Sequence, residues 1–282
     1  QDAPPEKRSK EPLFGRVDVR AFGSLASKES AFDDFADEIL LPQRYSRLGP
    51  FVSVGDVNND GVDDLVHSGA AGASTRVVLN STGTSHTEVT SADLRRAAAA
   101  EDLGSALFDA DADGDLDLVV VAGSKEFKVG DDLLRPRFYN NDGKGNFTYN
   151  KEALPDMKVC AQRVTVGDAD GDGDPDLFIG GRVEPGRYPM SPSSYLLRND
   201  GGVFTDITAA TAPALMALGM VTDARFADTD NDGDKDLVVV GEWMPVTILE
   251  NRSGKFENIT STTTMDSTNG WWYSVEVDDL DG

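Results

Sequence analysis

Residues 109–123, DADADGDLDLVVVAG, set acids at alternate positions of a nine-residue turn and then run directly into an apolar strand. The same turn recurs at 56–64 (DVNNDGVDD), 168–176 (DADGDGDPD) and 228–236 (DTDNDGDKD). Positions 1, 3, 5 and 9 carry a side-chain oxygen in every copy: Asp56, Asn58, Asp60 and Asp64; Asp109, Asp111, Asp113 and Asp117; Asp168, Asp170, Asp172 and Asp176; Asp228, Asp230, Asp232 and Asp236. Position 6 is always glycine. Hard divalent cations take six to eight oxygens at about 2.3–2.6 Å, and alternate residues of a tight turn present theirs to one side. Position 7 (Val62, Asp115, Asp174, Asp234) varies, as expected where only its carbonyl is a ligand. With no cation, each pair of like charges at 4 Å costs roughly 4 kcal/mol at an effective dielectric near 20. The turns therefore predict four Ca²⁺ sites.

An EF-hand opens with the same D-x-D-x-D-G but needs a bidentate Glu at position 12 and a helix on each side. Here the twelfth positions are His67, Val120, Ile179 and Val239. They lie in β-branched runs such as LVVVAG, LFIGG and LVVVG, which end at glycine and read as strands. Each turn thus joins two strands. An all-protein oxygen cage also suits calcium better than the smaller magnesium ion.

Counting outward from the turns, the repeat is larger than the loop. First aspartates are separated by 53, 59 and 60 residues, and SVEVDDLDG at the C-terminal end starts a fifth copy at Asp279 and Asp281 after a further 51. Every unit has an apolar lead-in strand (GPFVSVG, SALFDA, QRVTVG, DARFAD), the loop and the apolar strand out. A third strand then ends at Asn (RVVLNSTG, RFYNNDGKG, YLLRNDGG, VTILENRSG), and a fourth follows in FTYNKEAL, FTDITAA and FENITST. Four strands at a period of this length predict an all-β propeller of four-stranded blades. Its blades fall at about 50–103, 104–161, 162–221 and 222–273, with the start of another at 274–282. Four blades and the beginning of a fifth fit part of a seven-bladed ring. Residues 1–12 read as a flexible tether and 13–49 as a segment that wraps the first blade. LRRAAAAED (94–102) reads as a helical turn.

The formal charge of −24 follows the same pattern. The loops together with Asp279 and Asp281 hold 21 of the 50 acids, which leaves 29 against 26 Lys and Arg. No basic face is left to neutralise phosphates, so nucleic acid is not an expected partner. No apolar run approaches the 18 residues of a membrane span. QDAPPEKRSKEP at the start lacks the apolar core of a signal peptide. Calcium sites of modest affinity fill at millimolar concentration, an extracellular condition.

Several of these stretches resemble the FG-GAP/VCBS repeats of integrin α-chain-type propellers. LLPQRYSRLGP (40–50), GDVNNDGVDDL (55–65), GGRVEPGRYPMSPSSYLLRNDGG (180–202), the run 212–245 and NGWWYSVEVDDLDG (269–282) are similar to bacterial VCBS-repeat proteins related to the cartilage acidic protein (ASPIC/UnbV) family. The resemblance covers about residues 30–282 and implies an exported or surface-attached bacterial protein built as a calcium-loaded propeller. The literal Phe-Gly-Gly-Ala-Pro string of integrins does not occur, so integrin-type ligand binding is not implied.

The remaining candidates for chemistry are few. His67 reads as a strand residue and His86 as part of a polar turn, and no G-x-S-x-G, H-E-x-x-H or P-loop string is present. A carboxylate saturated by calcium is a poor general acid or base. The expectation is a non-catalytic scaffold that binds a protein or glycan, with a self-assembling fibre and a polysaccharide-active enzyme as alternatives. Trp243 and Trp271–Trp272–Tyr273 either stack on sugar rings or anchor a protein partner, or else pack between blades or line the central channel. Arg182 and Arg187 lie in the longest connection and read as surface contacts. Cys160, the single cysteine, reads as a small buried strand residue. Four N-x-[ST] sequons (Asn80, Asn146, Asn251, Asn258) fall mostly where turn chemistry explains the Asn.

Overall fold

The structure is a computed structural model, and it describes residues 27–81, 86–89 and 91–279. The tether at 1–12, the first half of the wrapping segment, Asp281 and Gly282 lie outside these residues. Four antiparallel sheets follow one another along the chain. The first holds β1 (Val52–Gly55), β2 (Asp64–His67), β3 (Arg76–Asn80) and β4 (His86–Val89). The second holds β5 (Asp102–Phe108), β6 (Asp117–Ala122), β7 (Arg137–Asn140) and β8 (Thr148–Tyr149). The third holds β9 (Ala161–Gly167), β10 (Asp176–Gly181), β11 (Tyr195–Asp200) and β12 (Val203–Asp206). The fourth holds β13 (Met220–Ala227), β14 (Asp236–Met244), β15 (Thr247–Asn251) and β16 (Phe256–Asn258), and β17 (Gly270–Trp271) joins the far end of β14. Within each sheet the strands pair in sequence order, as the four-strand repeat predicts.

The apolar runs make sense once both faces of each second strand are followed. Leu118 and Val120 of β6 belong to a core shared with Val66 and Val77 of the first sheet. Val119 and Val121 point the other way, into a core with Leu177 and Ile179 of β10. Phe178, between those two, faces Leu237 and Val239 of β14. Period-2 alternation therefore fills a separate inter-sheet core on each side, which is why these strands read as unbroken hydrophobic runs. Each fully buried Leu, Val or Phe contributes about 1.5–3 kcal/mol. The first strands β1, β5, β9 and β13 pack against one another in order.

One local expectation is shifted and another is corrected. Helix α1 spans Ala92–Arg96, capped by Ser91, whose side chain accepts the Leu94 N–H at 3.1 Å; the alanines at 97–100 form the turn after it. Ser91 supplies the missing acceptor for the first turn, so the helix starts at the cap rather than at the alanine run. His86 is not in a turn: it opens β4 and pairs with Asn80. The polar composition of HTEV hides an edge strand whose burial is slight. Among the described residues, the segment at 33–48 packs across the ends of the second and third sheets and reaches Glu242 of the fourth. Leu41 and Tyr45 share a core there with Leu134, Cys160 and Val183.

Candidate metal loops

Each acidic loop hangs between the first and second strand of its sheet. The residue before position 1 pairs with the residue at position 9: Gly55 with Asp64, Phe108 with Asp117, Gly167 with Asp176 and Ala227 with Asp236. The position 9 carboxylates are buried, and both oxygens accept main-chain N–H groups. One bonds position 2 of its own loop: Val57 to Asp64 at 3.0 Å, Ala110 to Asp117 at 3.4 Å, Ala169 to Asp176 at 2.8 Å and Thr229 to Asp236 at 2.9 Å. The other accepts the N–H of an Asn at or just past the end of the third strand: Asn80 at 2.7 Å, Asn141 at 2.9 Å, Asn199 at 2.7 Å and Asn251 at 2.8 Å. Burial, opposed by these bonds and helped by neighbouring loop acids, pushes Asp117 and Asp176 to about 6 and raises Asp64 as well.

A second set of bonds shapes the turn. The position 1 carboxylate accepts the glycine N–H at position 6, at 2.7, 3.0, 3.1 and 3.1 Å in loops one to four. The position 5 carboxylate accepts the N–H of position 7, at 3.0, 2.9, 2.9 and 2.9 Å. The glycine φ values run from +84° to +98°. Position 4 is left-handed as well: Asn59 at +59°, Ala112 at +60°, Gly171 at +80° and Asn231 at +62°. Three of those four residues are Asn or Gly, which tolerate this conformation. Ala112 does not, and it stores strain there.

Among the described residues, three groups of acids converge closely enough to hold a metal ion: Asp109, Asp111 and Asp113; Asp168, Asp170 and Asp176; Asp228, Asp230 and Asp232. Within each group the ligand atoms lie within 4.8 Å of one another. In the first loop, position 3 is Asn58, whose amide donates to Asp60 at 3.3 Å; no three-acid group forms there among the described residues. The donors are all hard oxygens. Asp228 Oδ1 is buried without a hydrogen-bond partner, an orphan that a cation would satisfy. The residues fit a metal of the calcium type. The side chains at position 7 have their own partners: Asp234 accepts the Ser253 N–H at 2.7 Å, Asp174 accepts that of Gly201 at 3.4 Å, and Asp115 accepts the Asn59 amide at 2.7 Å. Asp279 lies exposed in the C-terminal stretch.

Sequence reasoning missed what the third-strand Asn does. Its main-chain N–H holds its own loop, while its side chain reaches the loop of the preceding sheet. Asn141 Nδ2 donates to the Val57 carbonyl at 2.8 Å, Asn199 to Ala110 at 2.8 Å and Asn251 to Ala169 at 2.9 Å. Every acceptor is position 2 of a metal loop. Successive loops are therefore linked into one hydrogen-bonded relay. The recurrence of Asn at this place in every unit was the available signal.

Other residues fall as follows. Arg182 is not a surface contact: its side chain is 1% exposed and it pairs with the fully buried Glu242. Its Nε bonds Gln162 at 2.7 Å, Tyr45 Oη donates to Glu242 at 2.5 Å, and the guanidinium sits 4.9 Å from the Tyr45 ring centroid. The sequence showed the arginine but not its partner 60 residues away. Arg187 is exposed and pairs with Glu184 at 2.9 Å. Trp243 is 62% exposed and so does not fill an inter-sheet core. Its φ is +59°, its indole N–H donates to Tyr188 Oη at 2.7 Å, and Trp271 meets it edge-on at 5.0 Å. Trp272 and Tyr273 are exposed as well. His67 is a buried residue of β2, its pKa lowered mainly by burial. Cys160 is buried just before β9, and burial pushes its thiol up to about 12. Of the sequons, Asn251 is buried with its amide engaged, whereas Asn146 and Asn258 are exposed.

A family model described as FG-GAP-like repeat matches residues 109–179 and 228–282, so the chain carries FG-GAP-like repeats. No curated protein matches the chain. Among solved structures, the crystal structure of the V. cholerae biofilm matrix protein Bap1 is similar at a TM-score of 0.37 and 16% identity, over 74% of this chain. The chain spans 30% of that protein's length.

Proposed function

We propose that the four sheets are blades of a calcium-loaded β-propeller, as the ASPIC/UnbV-related resemblance implies, and that it serves as a non-catalytic extracellular scaffold and interaction module. The observation that carries this reading is the Asn relay between loops. Position 9 carboxylates and third-strand asparagines tie each loop to its own sheet and to the preceding one, so an ion in one loop braces two sheets. The ligands would be the side chains at positions 1, 3, 5 and 9 with the carbonyl at position 7. Calcium supplies charge neutralisation there, and the main-chain N–H groups hold the carboxylates in place for it. A site at 100 times its dissociation constant stabilises the fold by about 2.7 kcal/mol. Thermal unfolding with and without chelator tests this: calcium should restore a melt that chelator lowers, and Asp232→Ala should reproduce part of the loss. An unchanged melt rejects it.

One observation favours a second reading. Val52 and Val54 on β1 are 53% and 57% exposed, an open apolar sheet face. A further blade of a seven-bladed ring would cover that face, and so would another copy in a fibre or array. Particle size that grows with calcium supports assembly between copies; a monomer at all calcium concentrations leaves the single-module reading.

A further inference from the structure

Beside the second sheet, α1, the segment 132–135 and the outer strands β7 and β8 line an open cleft of about 390 Å³. That lies in the roughly 300–1,000 Å³ range of small-molecule sites. None of the acidic-loop residues lines it. Its aromatic wall is Tyr149, 39% exposed, tilted against the buried Tyr139 at 5.6 Å between ring centroids. Tyr149 is anchored, because its N–H donates to Asp93 Oδ2 of α1 at 3.0 Å.

Three arginines, Arg96, Arg135 and Arg137, surround this wall in a chain whose formal charge is −24. Each is only partly engaged. Arg96 pairs with Asp93 through Nη1, and Arg137 pairs with Asp102 through Nη2 while its buried Nε has no partner. Arg135 meets Asp132 at 3.2 Å and also bonds Asp156. A guanidinium has five N–H donors, so these pairings leave donors over. Burial pushes the Tyr139 phenol to about 12, so it too remains an O–H donor. Asp93 and Asp132 line the cleft as well, paired with Arg96 and Arg135, so the lining offers the guanidinium donors those pairs leave over, one exposed aromatic face, and room for a single ring.

The geometry points to a binding site for an anionic sugar, a hexuronate-type residue whose carboxylate meets the Arg96 and Arg135 guanidiniums and whose C–H face lies on Tyr149. Planar guanidinium forks suit a carboxylate, and an aromatic ring fixed on one edge suits the apolar face of a pyranose. This names a ligand class for the interaction module and rests on that reading, but uses none of the metal loops.

The test is a titration of the calcium-loaded chain with D-glucuronate, followed by calorimetry and by saturation-transfer NMR, with D-glucose and acetate as comparators. The expected result is saturable binding of glucuronate, at least fivefold weaker binding of both comparators, and transfer from Tyr149 to the sugar ring. Arg96 is largely exposed, so Arg96→Gln should weaken glucuronate at least fivefold at an unchanged melting temperature. Tyr149→Leu should weaken it further. No saturable binding, equal binding of glucose, or wild-type affinity in both variants overturns the site. Any of these with an intact calcium response removes the sugar site and leaves the scaffold reading standing.

Discussion

Asn199→Ala probes the relay between sheets. In the folded chain Asn199 is fully buried; its Nδ2 donates to the Ala110 carbonyl at 2.8 Å and its Oδ1 accepts the Gly202 N–H at 2.8 Å. Ala110 and Gly202 are both buried, so the substitution strands one acceptor and one donor without water to replace the lost partner. Each stranded group costs about 1–3 kcal/mol, which gives a loss of about 2–6 kcal/mol. For a chain of this size, 1 kcal/mol moves Tm by about 2–4 °C. Urea and thermal unfolding in saturating calcium measure it. Calcium binding should weaken at the loop of the preceding sheet, 109–117, because Ala110 is its second residue. Asn199→Asp separates the two bonds: it keeps the acceptor for Gly202 but sets a carboxylate against a carbonyl, so it should be no more stable than the alanine variant. A change below about 0.5 kcal/mol in Asn199→Ala, with calcium binding intact, refutes the relay.

Three further outcomes follow from other parts of the molecule. Ala112→Gly relieves the left-handed strain at position 4 and should stabilise by up to about 1 kcal/mol, read as a raised urea midpoint; a lowered midpoint contradicts it. Arg182→Met leaves Glu242 buried without its cation and should cost about 3–5 kcal/mol in unfolding free energy, with denaturation at wild-type urea as the contrary result. Glu101 is buried, and burial, aided by the charges of Glu29, Glu126 and Asp102, raises its pKa to about 8. Its contribution is fully present below about 4.5 and is lost as pH rises through about 8. Between pH 6 and pH 9 the wild type should lose at least about 1 kcal/mol, or about 2–4 °C in Tm, that Glu101→Gln does not lose. Equal pH profiles would rule that out.

Most of the sheet plan was legible because it rests on local rules. The loop motif marks a strand-to-strand turn, and the apolar run after it needs partners on both sides. His86 escaped because an edge strand exposed to water carries little hydrophobic pattern. The helical turn read at 94–102 was placed too late, because the Ser91 cap starts the helix at Ala92 and the start of β5 at Asp102 leaves the alanines only a turn. At the loops, the residue types at positions 1, 3, 5 and 9 could be read directly. The left-handed position 4 could also have been read from Asn59, Gly171 and Asn231, had Ala112 not broken the pattern. What no sequence window shows is pairing across sheets. The Arg182–Glu242 pair, the Asn links between loops and the tyrosine–arginine cavity each join residues tens of positions apart, brought together only when the sheets stack.

The central claim is that ions in these turns brace adjacent sheets. Native mass spectrometry of the chain, stripped by chelator and then titrated with calcium, measures it directly. Up to four Ca²⁺ should bind per chain, and the charge-state distribution should narrow toward the compact form as they do. A chain that binds none, or that is equally compact at every calcium concentration, contradicts it.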